Sequence, residues 1–240
     1  MNAKKAEAKK PRASESTGST GELELEMPKL QRNTLNEEVY QQLKHALMTG
    51  RIAPGSTMTI RSLAKSFGIS PMPVREALRR LVAEHVLVLL PNRSVSLPII
   101  TRDRFREITR IRTSLEGLAA EEATPLVTAE ALKKMAALND EMELPGQTKR
   151  PEYLVKNREF HFCLYQSSRL PTLVKIIEAL WLQIGPLLTI QQEEFASSGV
   201  IVQTQHRRLL KALKKGDAAE ARDAIVNDIE DAAKIIGASL

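Results

Sequence analysis

The chain has a single cysteine, Cys163, in 240 residues. That excludes an internal disulfide and fits a reducing compartment such as the cytoplasm; Cys163 reads as a small buried hydrophobe. Aromatic residues make up only 4 % of the chain, so its cores must be built from Leu, Ile, Val and Ala. No run of about 18 uncharged apolar residues occurs, which argues against a membrane-spanning helix. The opening MNAKKAEAKKPRAS has no apolar segment and does not read as a signal peptide. There is no Gly-rich phosphate loop, no nucleophile–base constellation and no internal repeat. These absences count against an enzyme and leave a cytoplasmic protein whose chemistry lies in charge and in a few polar side chains.

The charge is unevenly placed. Residues 1–28 carry five basic and five acidic side chains, residues 29–97 carry ten and four, and residues 98–240 carry twenty of each. The whole excess of +6 therefore falls on residues 29–97. A segment of that kind favours a polyanion, because Lys and Arg release counterions from phosphates.

Within that segment, IRSLAKSFGISPMPVREALRRL (60–81) predicts two short helices joined by a tight turn. Ile60, Leu63, Ala64 and Phe67 repeat at helical spacing. Gly68 tolerates the left-handed backbone that stops a helix. Ser70 can cap the next helix, and Pro71 suits its first turn. Val74, Ala77, Leu78, Leu81 and Val82 then face inward, while Met72, Arg75 and Arg79 point outward and Glu76 can pair with Arg80. An arginine row beginning at a helix N-terminus is what a helix-turn-helix protein places in the DNA major groove. Before it, Thr34 with Glu37 forms a capping box for a helix that buries Leu35, Val39, Leu43 and Leu47. After it, HVLVLLPNRSVSLP predicts a β-hairpin whose tip holds Asn92 and Arg93. His45 falls at the edge of the first helix, and His85 reads as a C-cap.

The arrangement TGRIAPG, SPMPVREALRRL, PNRSV closely resembles the winged helix-turn-helix domain of the GntR family of transcription regulators. The resemblance implies binding to a double-stranded DNA operator, with Arg61 and Ser70 joining Met72, Arg75, Arg79, Asn92 and Arg93 on the DNA-binding surface.

The domain plan predicted is a disordered tail at 1–28, a winged helix-turn-helix domain at 29–97 and an all-α bundle at 98–240. The fold class is thus mainly α. In the bundle, 99–123 predicts a helix with Phe105, Ile108, Ile111, Leu115 and Leu118 inward. Further helices follow at 128–142, 152–167, 171–195, about 197–215 and 217–236. The helix from Pro171 is apolar on much of its circumference, so it is expected either at the bundle centre or, through Trp181, against a partner copy. IRTSLEGLAAEEA, NREFHFCLYQSS, the stretch HRRLLKALKKGD and AARDAIVNDIEDA resemble the FCD ligand-binding domain of the FadR subfamily.

Five polar residues interrupt the apolar stripes of these helices: Arg112, Asn157, His161, His206 and Asp228. Burying them costs free energy unless they find partners, and convergence on one cavity supplies those partners. Two imidazoles with a carboxylate and an amide oxygen suit a first-row divalent ion such as zinc, nickel or manganese. Asn157, His161, His206 and Asp228 are the candidate ligands, with metal affinity expected to fall below about pH 6 as the imidazoles protonate. In the FCD pattern, Asp228 stands where the family usually has a histidine, and Asn157 where it has Asp or Asn. The alternative is a metal-free polar pocket. The function expected is a ligand-responsive regulator, most often a repressor in this family. It binds a palindromic operator as a homodimer and answers to a small carboxylate effector held by Arg112, Asn157, His161 and His206. The rivals are a metal-dependent enzyme with a DNA-targeting domain and a constitutive DNA binder without effector.

Overall fold

The computed structural model describes residues 34–144, 146, 152–189 and 204–240. The expected tail at 1–28, the side chain of the capping residue Thr34 and the expected helical stretch at 190–203 lie outside the described residues.

The first helix, α1 (Thr34–Met48), buries Val39, Tyr40, Leu43 and Leu47. Leu35 does not join them. It is 41 % exposed and lines an open groove with Phe67 and Ile69. A short strand β1 (Thr57–Met58) leads into α2 (Ile60–Phe67). Thr59 and Ser62 close a capping box at the start of α2, and Gly68 ends it at φ 66°, a conformation that glycine adopts without strain.

Helix α3 (Pro71–Ala83) buries Val74, Ala77, Leu78 and Leu81 and leaves Met72, Arg75 and Arg79 exposed. Ser70 occupies the N-cap position, but its side chain makes no capping hydrogen bond. His85 terminates the helix at φ 58°, where Val86 N donates to Leu81 O at 3.0 Å. The expected Glu76–Arg80 pair is not formed. Glu76 meets Arg79 at 3.1 Å, while Arg80 turns back to α1, meeting Glu37 at 3.0 Å and Glu84 at 3.1 Å and lying 3.6 Å from the Tyr40 ring centre. The aromatic face and two carboxylates hold a guanidinium better than one exposed i, i+4 partner.

The wing is the hairpin of β2 (Val88–Leu89) and β3 (Val95–Ser96). β1 adds to its other side, giving the antiparallel order β1-β3-β2 with Ser96 opposite both Thr57 and Val88.

The bundle consists of α4 (Arg102–Ala123), α5 (Ala129–Glu143), α6 (Glu152–Ser167), α7 (Pro171–Ile184), a 3-10 turn (Gly185–Leu187), α8 (Thr204–Lys215) and α9 (Ala218–Ser239). Side chains of Thr101, Thr128 and Asp217 cap α4, α5 and α9. The Thr101 cap explains why α4 starts after Ile99, which is exposed. Helix α9 packs along α4 and α8, and α5 along α6.

The inward face of α4 differs from the expected one. Phe105 and Ile108 are buried, but so are Arg112, Glu116, Ala119, Ala120 and Ala123, while Ile111 and Leu118 are exposed. The small residues let α9 approach closely: a Cβ on Gly117 would stand 3.2 Å from Val226 Cγ2. Close helix packing plus a paired Arg112 and Glu116 outweighs burial of Ile111 and Leu118. Trp181 is 1 % exposed within its own chain, so α7 is a central helix and Trp181 is no surface for a partner.

The winged domain is seated on the bundle through α1. The buried Lys44 pairs with Glu178 of α7 at 2.7 Å. Arg158 of α6 donates to Met48 Sδ at 2.8 Å and stands 3.8 Å from Glu178. At the end of α7 the backbones touch: a Cβ on Gly185 would meet Met48 Cα at 2.8 Å and Leu47 O at 2.9 Å. Gly185→Ala is therefore expected to destabilise the protein by about 1–3 kcal/mol, the cost of overpacking a tight contact. Thermal and urea melts measure it; an unchanged midpoint would mean that α1 can shift away freely.

Candidate functional site

The site grows from α4, which puts Arg112 and Glu116 one turn apart on its buried face. Arg112 Nε donates to Glu116 Oε1 at 2.6 Å and Nη2 to Oε2 at 3.3 Å. Glu116 is fully buried and also accepts from the Tyr165 hydroxyl of α6 and from Trp181 Nε1 of α7 at 3.1 Å. The Trp181 ring lies 5.1 Å from the Arg112 guanidinium carbon.

Helix α6 carries His161 one turn before Tyr165, and their side chains meet: Tyr165 Oη is 3.2 Å from His161 Nδ1. The other nitrogen of His161 faces α8 and α9. Its Nε2 lies 3.3 Å from His206 Nε2 and 3.4 Å from Asp228 Oδ2, while His206 Nε2 lies 3.6 Å from Asp228 Oδ1. The donor atoms of His161, His206 and Asp228 thus converge, all within 4.8 Å of one another. Phe160 stacks on His206 at 4.1 Å between ring centres. His206 Nδ1 is buried and has no hydrogen-bond partner among the described residues.

The electrostatics follow from burial. Burial, followed by the neighbouring His206 and Arg112, holds the His161 pKa well below the usual imidazole range. Burial lowers His206 to about 3, against the opposing charge of Glu143. Both imidazoles are therefore neutral, as metal ligands must be. Burial raises Asp228 to about 7, with Arg112 pulling down and Glu116 pushing up. This changes the expected acid limit: the carboxyl of Asp228, not an imidazole, takes up a proton first.

These three groups fit a divalent cation. Ligand nitrogen and oxygen atoms at about 2.0–2.1 Å from a tetrahedral zinc stand about 3.3 Å apart, close to the 3.3, 3.4 and 3.6 Å found here. The buried Nδ1 of His206, without a partner among the described residues, is a second sign that the polar groups here are not matched to one another alone. Asn157 is half-buried one turn before His161 and makes no hydrogen bond among the described residues. Arg112 is not the free counter-charge expected, because Glu116 already takes two of its donors; its Nη1 makes no hydrogen bond among the described residues.

Sequence reasoning missed Glu116, Tyr165 and the polar role of Trp181. The signal was present: Glu116 is i+4 from Arg112, and Tyr165 is i+4 from His161.

The second candidate surface is on the winged domain. Arg61, Ser70, Met72, Arg75, Arg79 and Arg93 are all exposed, and Met72 is 59 % exposed. Arg61, Arg75 and Arg93 have no ion-pair partner among the described residues. Asn92 differs, since its Oδ1 accepts from Ser94 N at 3.0 Å and from the Ser94 hydroxyl, so its side chain shapes the wing turn.

Residues 35–97 match the family model described as bacterial regulatory proteins, gntR family, and residues 107–231 match the FCD domain. The HTH-type transcriptional regulator McbR of Escherichia coli K12 is 31 % identical over 199 residues, covering 82 % of this chain and 90 % of that protein. The regulator YdhC of Bacillus subtilis 168 is 28 % identical over 193 residues, covering 79 % and 85 %. Among solved structures, E. coli McbR/YncC aligns with a TM-score of 0.78 at 29 % identity, covering 85 % of this chain and 98 % of that one. A GntR regulator from Rhodococcus sp. RHA1 aligns with a TM-score of 0.71 at 17 % identity, covering 86 % and 99 %, a likeness of fold.

A titration separates the carboxyl from its neighbours. An unfolded Asp titrates near about 3.9, so a raised folded value means that the protonated form stabilises the fold. That contribution is present below about pH 4 and is lost as pH rises through about 7. Metal-free Asp228→Asn, which stays uncharged, is expected to exceed wild type in stability above pH 7, and the gap should close as pH falls toward about 4. Chemical melts of both proteins across that range decide it; a gap independent of pH would mean that folding does not raise the carboxyl's pKa.

Proposed function

Because the chain belongs to the GntR family and carries an FCD domain behind its DNA-binding domain, we propose that it is a ligand-responsive repressor of the FadR subfamily, controlled by a small carboxylate effector. The families matched are those of transcription regulators, so the chain is a DNA-binding regulator and not an enzyme. The finer reading places it in the cytoplasm, with 1–28 as a tail, 29–97 as the DNA-binding domain and 98–240 as the effector domain. The observation that carries it is the convergence of the buried His161 Nε2 and His206 Nε2 with the half-buried Asp228.

In this reading His161, His206 and Asp228, with Asn157 one turn before His161, hold one zinc, nickel or manganese ion. A divalent ion there supplies a Lewis-acid anchor for the effector carboxylate. The neutral imidazoles keep their lone pairs available, Asp228 supplies negative charge above its raised pKa, and the spare Nη1 of Arg112 offers a donor to the effector. Helices α6 and α7, which carry His161 and Trp181, also carry Arg158 and Glu178. A shift of these helices on effector binding moves α1 and with it the recognition helix α3.

On the DNA side, Arg75 and Arg79 read the major groove, Arg61 and Ser70 reach phosphates or base edges, and Arg93 extends from the wing. Arg75→Ala should weaken operator binding by about 1–3 kcal/mol if the guanidinium is bidentate to a base, with less effect on random DNA. Anisotropy at matched salt, on a site selected from random duplexes, measures this; equal losses on both DNAs reduce Arg75 to a phosphate contact. His161→Ala and His206→Ala should lose metal and effector response while keeping operator affinity. If reconstituted wild type carries no stoichiometric metal and chelator leaves its melt unchanged, the metal reading fails. His161, His206 and Arg112 then hydrogen-bond the effector directly.

A palindromic operator calls for a homodimer with two half-sites about one helical turn apart. With Trp181 buried, the face offered to a second copy is on α4. Ile111 and Leu118 are exposed and Leu115 is half-buried, beside a groove that Ser114 and Arg110 also line. Arg110 and Glu122 are exposed without an ion-pair partner among the described residues. An antiparallel two-fold pairing of α4 with its copy sets each Arg110 opposite the partner copy's Glu122 and joins the apolar residues between them. Arg110→Glu and Glu122→Arg should each weaken the dimer, and the double variant should restore it. Sedimentation at micromolar concentration reads the outcome; if both single variants sediment as wild type, the interface lies elsewhere.

A further inference from the structure

We infer that Tyr165, held by Glu116, fixes the tautomer of His161, so that its Nε2 lone pair points at the place where the cation reading puts an ion. The inference rests on that reading for its purpose, but the hydrogen-bond logic stands by itself.

Glu116 is buried and faces the Arg112 guanidinium at both oxygens, so those oxygens act as acceptors. Four contacts reach them, two from Arg112, one from Trp181 Nε1 and one from the Tyr165 hydroxyl, and the tyrosine contact is the shortest. Two oxygens that close share a proton, and only the phenol has one to give. The single proton of Tyr165 therefore lies toward Glu116 Oε2. Its oxygen is left as an acceptor, 3.2 Å from His161 Nδ1. A hydrogen bond there requires the proton to be on Nδ1. In a neutral imidazole only one nitrogen carries a proton, so Nε2 of His161 is bare.

That bare nitrogen faces His206 Nε2 at 3.3 Å and Asp228 Oδ2 at 3.4 Å. Tyr165 sits one turn after His161 on the same helix, so the hydroxyl also locks the ring orientation. His206 has no matching device: its Nδ1 is buried and lacks a partner among the described residues. The site is thus pre-set from the α6 side. Tyr165 and Glu116 are positioning residues, acting on the ion only through His161. Outer partners of this kind typically change metal affinity 10- to 100-fold, as an order of magnitude.

The test uses the full-length protein, Zn2+ as the probe and Tyr165→Phe as the variant. The variant removes one oxygen and leaves Glu116 with Arg112 and Trp181. Competition with a chelating dye should give a Zn2+ affinity lowered about 10- to 100-fold. Nitrogen-15 spectra of histidine-labelled, metal-free wild type should show His161 protonated at Nδ1, and the variant should show a mixture of tautomers. Nδ1 unprotonated in wild type would overturn the inference, and that result does not depend on whether the variant folds. Equal zinc affinity of the two proteins, with wild type binding the ion, would overturn it too while sparing the cation reading. A wild type that binds no zinc but shows the Nδ1–H tautomer sinks the cation reading and supports the Glu116–Tyr165–His161 relay as the frame of a polar pocket.

Discussion

One buried negative charge organises the bundle. Glu116 has no exposed surface, and an unpaired carboxylate in such a place would cost several kcal/mol, as an order of magnitude, a large part of the net stability of a domain. It is tolerated only because Arg112, Tyr165 and Trp181 all donate to it. Those donors come from α4, α6 and α7, so the need to satisfy one carboxylate fixes three helices relative to each other. His161 inherits its orientation from this arrangement through Tyr165, and the cluster with His206 and Asp228 inherits it from His161. Removing one partner of such a network leaves the rest buried and unpaired, which is far costlier than the net value of any single bond.

The same two helices reach the other domain. Arg158 is three residues before His161 on α6, and Glu178 is three residues before Trp181 on α7. Both reach α1, Arg158 through Met48 and Glu178 through Lys44. Lys44 is 4 % exposed, and a lysine buried that deeply has few alternatives to its one carboxylate partner. The Gly185 contact leaves no slack between the backbones. A rotation of α6 or α7 driven from the cluster therefore cannot be absorbed by side-chain play at the joint. It must either move α1 or pull the buried Lys44 away from its carboxylate partner. α1 in turn holds α3 through Arg80, which is stacked on Tyr40 and paired with Glu37.

Much of this was legible in the sequence where local rules decide. The turn at Gly68, Pro71 at a helix start, the wing around Asn92 and Arg93, and caps at Thr128 and Asp217 all act within four residues, and each stands where expected. The polar interruptions at His161, His206 and Asp228 were legible because a buried stripe exposes its exceptions. What failed needed knowledge of a neighbour. Ile111 and Leu118 continue an apolar pattern as well as Ala119 and Ala120 do, and only the close approach of α9 chooses between them. Arg80 looked like the partner of Glu76 because the Tyr40 face belongs to another helix. Glu116 was not singled out, since nothing within α4 except Arg112 announces the tyrosine and tryptophan that complete it.

The departure from the family pattern at Asp228 changes the charge that the cluster carries. A third imidazole would be neutral whenever its burial held its pKa down, as with His206, and would leave the site uncharged. A carboxylate with a pKa of about 7 instead gives a site whose charge changes within the physiological range. Above that value the donors carry one negative charge and attract a cation; below it a proton occupies the oxygen that a cation would use. A carboxylate effector meets the opposite preference, since it is repelled by the ionised Asp228 unless a cation lies between them. In the proposed function, cation and effector would be coupled through this one side chain: the charge that repels a carboxylate from the bare site is the charge that recruits its bridge.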